Sequence, residues 1–157
     1  MEIMISISLF VLLVGLLAAN SSFLRRYLVR AELDKICNVF RYLQKVAIVS
    51  GQDQVLEFDL DKNEYKCGKK KFKLPTSVIF GFMPGVKGPP CAPRKTITSP
   101  ITFRGNKVHF HKDGIIKSGT VYITDVKKDV MYAMSSSVAQ VSYLRKYAYN
   151  QAWTPIK

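Results

Sequence analysis

The residue best placed for chemistry in this chain is an acidic one at the front of an apolar segment. Glu2 stands directly before residues 3–19, which contain no charge and no proline. A carboxylate at the edge of such a segment is costly in a bilayer unless another charge compensates it. We therefore expect Glu2 to have a function. The simpler alternative is a place at the headgroups, where the helix dipole favours a negative charge.

The cysteines are the next candidate reactive groups. The chain has three of them, Cys37, Cys67 and Cys91, and an odd number excludes a fully paired intramolecular framework. If the domain lies outside the cytoplasm, Cys67 and Cys91 are candidates for a disulfide, which would contribute about 3 kcal/mol. Cys37 lies in a helical pattern, and we expect it to be buried.

The histidines and serines do not form a recognised catalytic or metal-binding pattern. His109 and His111 would share one face of a strand, where they could bind a metal only with further ligands, so we expect both to face solvent. Residues 135–137 are three serines, but no glycine elbow surrounds them and neither histidine has an evident carboxylate partner. We expect no metal, no cofactor and no enzymatic activity.

The composition is strongly basic. The 157 residues include 24 Lys and Arg against 11 Asp and Glu, a net charge of +13. Such a surface suits an anionic partner, which could be nucleic acid, acidic lipid or an acidic protein face, although solubility alone would also explain it. The densest run, residues 69–71, is typical of a solvated turn or of an edge strand blunted by lysine.

The apolar segment favours a membrane helix that is retained. At ~1.5 Å per residue it reaches ~26 Å, slightly short of a ~30 Å hydrocarbon core. A signal peptide needs a preceding positive segment, which is missing, although small residues near Asn20 leave cleavage open. Arg25, Arg26 and Arg30 would hold the C-terminal domain in the cytoplasm by the positive-inside tendency. A domain outside the cytoplasm would require positive residues before Met1 in the natural precursor. We expect this second arrangement.

The periodicity predicts an α+β fold, with one long N-terminal helix packed on a small antiparallel β domain. From Glu2 to about residue 49 the pattern is helical, apolar all round at first and then amphipathic, and Gly51 is a natural stop. We divide the chain into a transmembrane or assembly half-helix at 1–22, an amphipathic half-helix at 23–50, a β domain at 51–144 and a basic-aromatic tail at 145–157.

Short alternating runs predict the strands of the β domain. The predicted strands are 55–58, 77–82, 101–103, 107–111, 119–124, 130–134 and 138–144, and residues 83–94 are predicted to form a glycine- and proline-rich loop. Residues 101–103 and 107–111 flank a turn signal at Arg104–Asn106, which predicts a hairpin. Phe110 is expected in the core, and Asp113 with Gly114 in a tight turn.

The tail interleaves cations with aromatic residues. Arg145, Lys146, Tyr147 and Trp153 could hold single-stranded nucleic acid by charge and stacking, or could form a protein interface. Alternatively, this segment is a last strand whose aromatic side chains pack on the helix.

The layout resembles that of type IV pilins and type II secretion pseudopilins, in which a glutamate precedes an apolar helix, an amphipathic continuation and a small β domain. A string in the second half is similar to the minor pseudopilin domain of the GspH/FimT type. Its residues are Phe103, Phe110, Asp113, Gly114, Ser118, Gly119 and Thr120. The basic leader, its glycine and the Phe-Thr-Leu of that family would lie upstream of Met1, and Gln140 stands where the family usually has glycine.

The resemblance implies a pilin-like fold and a structural role as a minor filament subunit. Its partners would be other pilin or pseudopilin subunits, contacted through the N-terminal helix, and the bacterial inner membrane before assembly, with the globular domain in the periplasm. Glu2 would pair with the positively charged N-terminus of a neighbouring subunit and set the axial register. The alternatives are a pilus subunit acting in DNA uptake and a single-span protein with a basic, cytosolic nucleic-acid-binding domain.

Overall fold

One long helix leads into a set of antiparallel strands. This computed structural model describes residues 2–90, 92–136 and 143–156; within the helix, the side chains of residues 2–6, 9 and 11–22 lie outside the description. The helix, α1, spans Glu2–Ser50 without interruption, as the sequence predicts. It ends at Gly51, whose φ of +65° takes the chain out of the helix. Among the described residues, no helix combines the length and apolarity of a membrane span.

The strands form two sheets. Their bounds are β1 Gln54–Asp59, β2 Glu64–Cys67, β3 Lys70–Lys73, β4 Val78–Phe80, β5 Lys107–Phe110, β6 Gly119–Asp125, β7 Met131–Ser136, β8 Leu144–Asn150 and β9 Ala152–Ile156. The first sheet has the order β3-β2-β1-β5 and the second the order β4-β6-β7-β8-β9, and all pairs are antiparallel. The α+β class predicted from the sequence is therefore confirmed, with two sheets beside the helix.

The predicted hairpin around Arg104–Asn106 is wrong. β5 pairs with β1 rather than with residues 101–103, and Ile101 makes a single bridge to Val121 of the other sheet. The segment between them is a short 3-10 turn that contains Gly105 at φ +63°. The reason is burial: Val108 lies opposite Leu56 of β1, and both side chains are fully buried. The turn signal thus marks a crossing from one sheet to the other.

The predicted tail belongs to the second sheet. β8 pairs with β7, and β9 pairs with β8, so residues 145–156 continue the sheet to its edge. The division placed at residue 144 therefore falls at the start of a strand. Of the strand predicted at 138–144, residues 138–142 lie outside the described residues.

The second sheet is covered on both faces, which explains why β6 and β7 are almost wholly buried. One face joins the main core, where α1 meets both sheets. The other carries a smaller core around Tyr122, Met131 and Tyr147, against which Met83 and Val86 of the loop pack. The glycine- and proline-rich loop predicted at 83–94 thus serves as a cover for the sheet.

Three of the four outer strands, β3, β4 and β9, are poor templates for pairing with another chain. On β4, the side chain of Asn63 binds the backbone, donating to the Val78 carbonyl at 2.6 Å and accepting from the Phe80 amide at 2.9 Å. β9 carries Pro155, which has no amide proton, and all four residues of β3 are exposed, three of them lysine. Such features disfavour edge-to-edge association.

Candidate functional site

The second half of α1 is fixed to the sheets by a stripe of apolar side chains. Six buried residues spaced three or four apart point into the main core: Val29, Leu33, Ile36, Phe40, Leu43 and Ala47. Phe40 lies at the centre, with its ring centroid 5.3 Å from that of Phe110 and 6.1 Å from that of Phe103. Two aromatic residues of the family-like string therefore hold the helix.

Gly119 has a steric role in this string. A Cβ atom at this position would lie 2.5 Å from the ring of Phe103, far inside van der Waals contact. Only glycine allows the ring to cover the start of β6. The next residue, Thr120, is buried, and its amide donates to the Thr102 hydroxyl at 2.7 Å. Ser118, just before the strand, is exposed.

Asp113 and Gly114 form the tight turn that the sequence predicts, and the turn lies on the end of α1. Gly114 has φ +83°, and Asp113 Oδ1 accepts the Ile115 amide proton at 3.0 Å. The Gln44 side-chain amide donates to the Gly114 carbonyl at 2.7 Å, and a Cβ at Gly114 would be 3.0 Å from Ile48. These contacts are internal packing and hydrogen bonding, and they fix the turn at Asp113 and Gly114 against the end of α1.

The other end of the packed helix is fastened by charge. Arg25 Nη1 lies 3.4 Å from Asp129 Oδ2 and 4.0 Å from Asp125 Oδ2, in the turn between β6 and β7. Asp125 is buried, and its Oδ1 accepts the amide protons of Asp129 and Val130. The turn is therefore shaped by one carboxylate that also faces the helix.

Towards the N-terminus of α1 the described apolar side chains are exposed. Ile7 is 58% exposed, Phe10 70% and Phe23 70%. The backbone at Glu2 is helical, whereas its side chain lies outside the described residues. Among the side chains that the structure describes, contacts of α1 with the β domain run from Arg25 to Ile48. The helix backbone continues from Arg25 by ~35 Å to Glu2 at ~1.5 Å per residue.

The basic-aromatic segment is mostly engaged within the protein. Lys146 Nζ lies 2.6 Å from Asp34 Oδ1 of α1, and Tyr147 is buried in the smaller core. Trp153 packs 5.1 Å from Tyr149 between ring centroids, and its Nε1 donates to the Lys87 carbonyl at 2.8 Å. Among the four candidate contact residues, Arg145 is the exposed one. These contacts fit the alternative in which the segment after residue 144 is a final strand with packed aromatic side chains. The aromatic side chains cover the second sheet, however, and not the helix.

The cysteines described by the structure are free thiols. Cys37 is buried among the core side chains, as expected, and burial raises its pKa to about 12. Burial also raises the pKa of Cys67, which lies at the end of β2. Cys91, its candidate disulfide partner, lies outside the described residues.

The histidines have different surroundings. His109 is exposed, as expected, but His111 Nδ1 lies 3.0 Å from Asp53 Oδ2, a carboxylate partner that the sequence pattern did not indicate. The two residues are far apart in sequence, and only the pairing of β1 with β5 brings them together. The Lys112 amide and His111 lower the pKa of Asp53. Within the described ranges, no group of three His, Cys, Asp or Glu side chains is placed to hold a metal.

The outer face of the first sheet carries a row of paired charges. Glu57 lies between Lys66 and Lys107 on the neighbouring strands, with Lys66 Nζ 2.8 Å from Glu57 Oε2. Hydrogen bonds from Lys107 and then Lys66 lower the pKa of Glu57 from 4.5 to about 2. Lysines on this face are therefore partly neutralised, while those of β3 remain exposed.

Comparisons with protein-family models, curated proteins and solved structures find no match for this chain.

Proposed function

We propose that this protein is a structural minor subunit, a pseudopilin, of a type II secretion pseudopilus or a type IV pilus. The observation that carries the proposal is the asymmetry of α1. The described side chains of α1 contact the β domain from Arg25 to Ile48, whereas Ile7 and Phe10 are exposed on a continuous helix of 49 residues. A helix that extends so far from its domain needs another cover for its apolar side chains.

The surroundings of the helix support assembly through it. Three of the four outer strands carry features that oppose pairing with other chains, as described for Asn63, Pro155 and β3. The exposed apolar side chains of the first half of α1, Ile7 and Phe10 among them, are suited to contacts between subunits. Before assembly the same half lies in the bacterial inner membrane, and after assembly it packs against the helices of other subunits.

Glu2 has a specific part in this proposal. Among apolar helices its carboxylate needs a compensating charge, and the positively charged N-terminus of a neighbouring subunit would supply one. Such a pair forms at one axial offset only, and so it would set the register of the filament.

A topology reporter tests where the β domain lies. In the proposed arrangement, an alkaline phosphatase fused after Lys157 of the full chain is active, because the domain lies in the periplasm. A second fusion at the same position, to a reporter protein that is active only in the cytoplasm, should then show no activity. The reverse pattern would contradict the proposal and favour the cytosolic single-span alternative.

Crosslinking tests the assembly partner. We expect a photoreactive residue at Phe10, which is exposed on the first half of α1, to crosslink to other pilin-like subunits in cells. The same residue at Lys112, an exposed position near the far end of the packed helix, is the control. If the photoreactive residue at position 10 crosslinks to no pilin-like subunit, the proposal is contradicted.

Contact with nucleic acid, as in DNA uptake, is the second candidate function. The net charge of +13 and the exposed lysines of β3 favour it. The C-terminal segment supports it less, because Lys146, Tyr147 and Trp153 contact other parts of the protein. DNA binding by the full chain that falls steeply with salt and is lost in Lys70→Gln/Lys71→Gln would support this function. No binding at low salt would exclude it.

A further inference from the structure

The place where α1 leaves the sheets carries an exposed surface made of two elements. The ion pair of Arg25 with Asp129 holds the β6–β7 turn beside the helix. The surface, which we call the collar, consists of Phe23, Leu24 and Arg26 on the helix, and Val126, Lys127 and Lys128 on the turn. All six of these residues are exposed.

The collar exposes apolar side chains where polar ones are usual. Phe23 is 70% exposed, Leu24 55% and Val126 57%. The shape of the turn does not require a valine at its tip, because Asp125 Oδ1 binds the amides of Asp129 and Val130, and the Lys128 amide donates to the Asp125 carbonyl. Turn tips normally carry glycine, asparagine or other polar residues. The apolar residue thus points to a contact outside the protein.

The charges of the collar are positive. Arg26, Lys127 and Lys128 are exposed. Of the acidic residues of the turn, Asp125 is buried, and Asp129 is exposed but pairs with Arg25. Apolar and aromatic side chains beside exposed cations suit the surface of an anionic bilayer. The apolar groups enter the boundary between headgroups and acyl chains, and the cations meet the lipid phosphates.

The position of the collar on α1 agrees with this partner. Beyond it the helix continues towards Phe10 and Ile7, which lie ~20 and ~24 Å from Phe23 at ~1.5 Å per residue and are also exposed. In the proposed function this stretch lies in the bilayer before assembly. We propose that the collar seats the β domain on an anionic phospholipid surface in the membrane-anchored state. The inference rests on the proposed function and adds the class of lipid and the contact residues.

Depth-dependent quenching tests the contact. The chain has one tryptophan, Trp153, so Val126→Trp adds a second reporter at the tip of the turn. The full chain is placed in nanodiscs of phosphatidylcholine, with or without phosphatidylglycerol, brominated near the headgroup end of the acyl chains. We expect the variant to lose at least about twice as large a fraction of its emission as the parent chain does in anionic discs. The extra quenching should shrink in zwitterionic discs and at high salt.

A matched pair of variants tests the role of the cations. Lys127→Gln/Lys128→Asn removes two charges from the collar, and asparagine suits the φ of +59° at position 128. Lys45→Gln/Lys112→Gln removes two exposed charges elsewhere, and Lys45 lies ~30 Å along α1 from Arg25. In the Val126→Trp background, the first pair should reduce quenching to its zwitterionic level and the second should leave it unchanged. Equal effects of the two pairs would overturn the proposal.

Hydrogen exchange on the unsubstituted chain gives an independent measurement. We expect amides of residues 123–130 to exchange at least about fivefold more slowly in anionic than in zwitterionic discs. A chain that enters the discs but shows neither quenching nor slower exchange overturns the collar proposal alone. A chain that does not enter the discs overturns both this proposal and membrane anchoring.

Discussion

Phe40 and Phe10 lie on the same helix, yet the first is fully buried and the second is 70% exposed. Phe40 is surrounded by the rings of Phe103 and Phe110, which come from the same chain. In the proposed function, lipid or another subunit covers the exposed ring of Phe10. That proposal assigns folding to one half of α1 and assembly to the other, so substitutions in the two halves should have different consequences.

The largest expected difference is between the two phenylalanines. Phe40→Ala should lower the free energy of unfolding by about 3–5 kcal/mol, because it leaves a cavity beside the rings of Phe58, Phe103 and Phe110. Phe10→Ala, the matched control, should change it by less than about 0.5 kcal/mol. Denaturant unfolding of the full chain in detergent micelles, followed by near-UV circular dichroism, measures both. Similar decreases in the free energy of unfolding would show that the two halves of α1 contribute equally to folding.

Substitution of Gly119 tests the packing of the strands against the second half of α1. Gly119→Ala should cost about 1–3 kcal/mol, because the new Cβ would meet the Phe103 ring at 2.5 Å. Gly105 has open space around its Cβ position, and alanine there should cost about 1 kcal/mol, from its φ of +63° alone. Thermal unfolding of both variants, of Phe103→Leu and of Gly119→Ala/Phe103→Leu measures these effects. A loss of stability from Gly119→Ala that is as large in the Phe103→Leu background as in the parent chain would contradict a steric role for Gly119.

A smaller effect is expected at the outer face of the first sheet. Lys107 and Lys66 lower the pKa of Glu57 from 4.5 to about 2, so the carboxylate is stabilised more in the folded than in the unfolded chain. Its contribution is therefore present above pH 4.5 and is lost as the pH falls towards 2. Glu57→Gln should flatten the dependence of the melting temperature on pH in that window. An unchanged slope would show that these surface pairs do not contribute.

The structure of the packed half of α1 could be predicted from the sequence, because the residue patterns that determine it are local. The apolar spacing from Leu33 to Ala47 predicts the helix face, and Asp113 with Gly114 predicts the turn that meets it. The partners of β5 and the pairing of His111 with Asp53 could not be predicted in this way. They depend on which distant strand buries Val108 and Phe110, and turn signals do not report that choice.

The collar and the tail show two further limits. The exposed Val126 lies on a turn that the Arg25–Asp129 pair holds beside α1, and these two paired residues are more than a hundred positions apart in sequence. The mixture of cations and aromatics after residue 144 suggested a binding surface. In the structure most of these side chains serve sheet packing, since the same residue types suit an interface and an aromatic core.

Replacement of Glu2 tests most directly the central claim, that the first half of α1 is an assembly element whose register is set by a charge pair at Glu2. Glu2→Gln removes the charge at nearly constant shape, and Glu2→Asp retains it. The amount of each variant in sheared filaments or crosslinked filament complexes is compared with its amount in the membrane. We expect Glu2→Gln to reach the membrane normally but to enter filaments at least about tenfold less, and Glu2→Asp to be affected less. Normal incorporation of Glu2→Gln would contradict the proposed charge pairing.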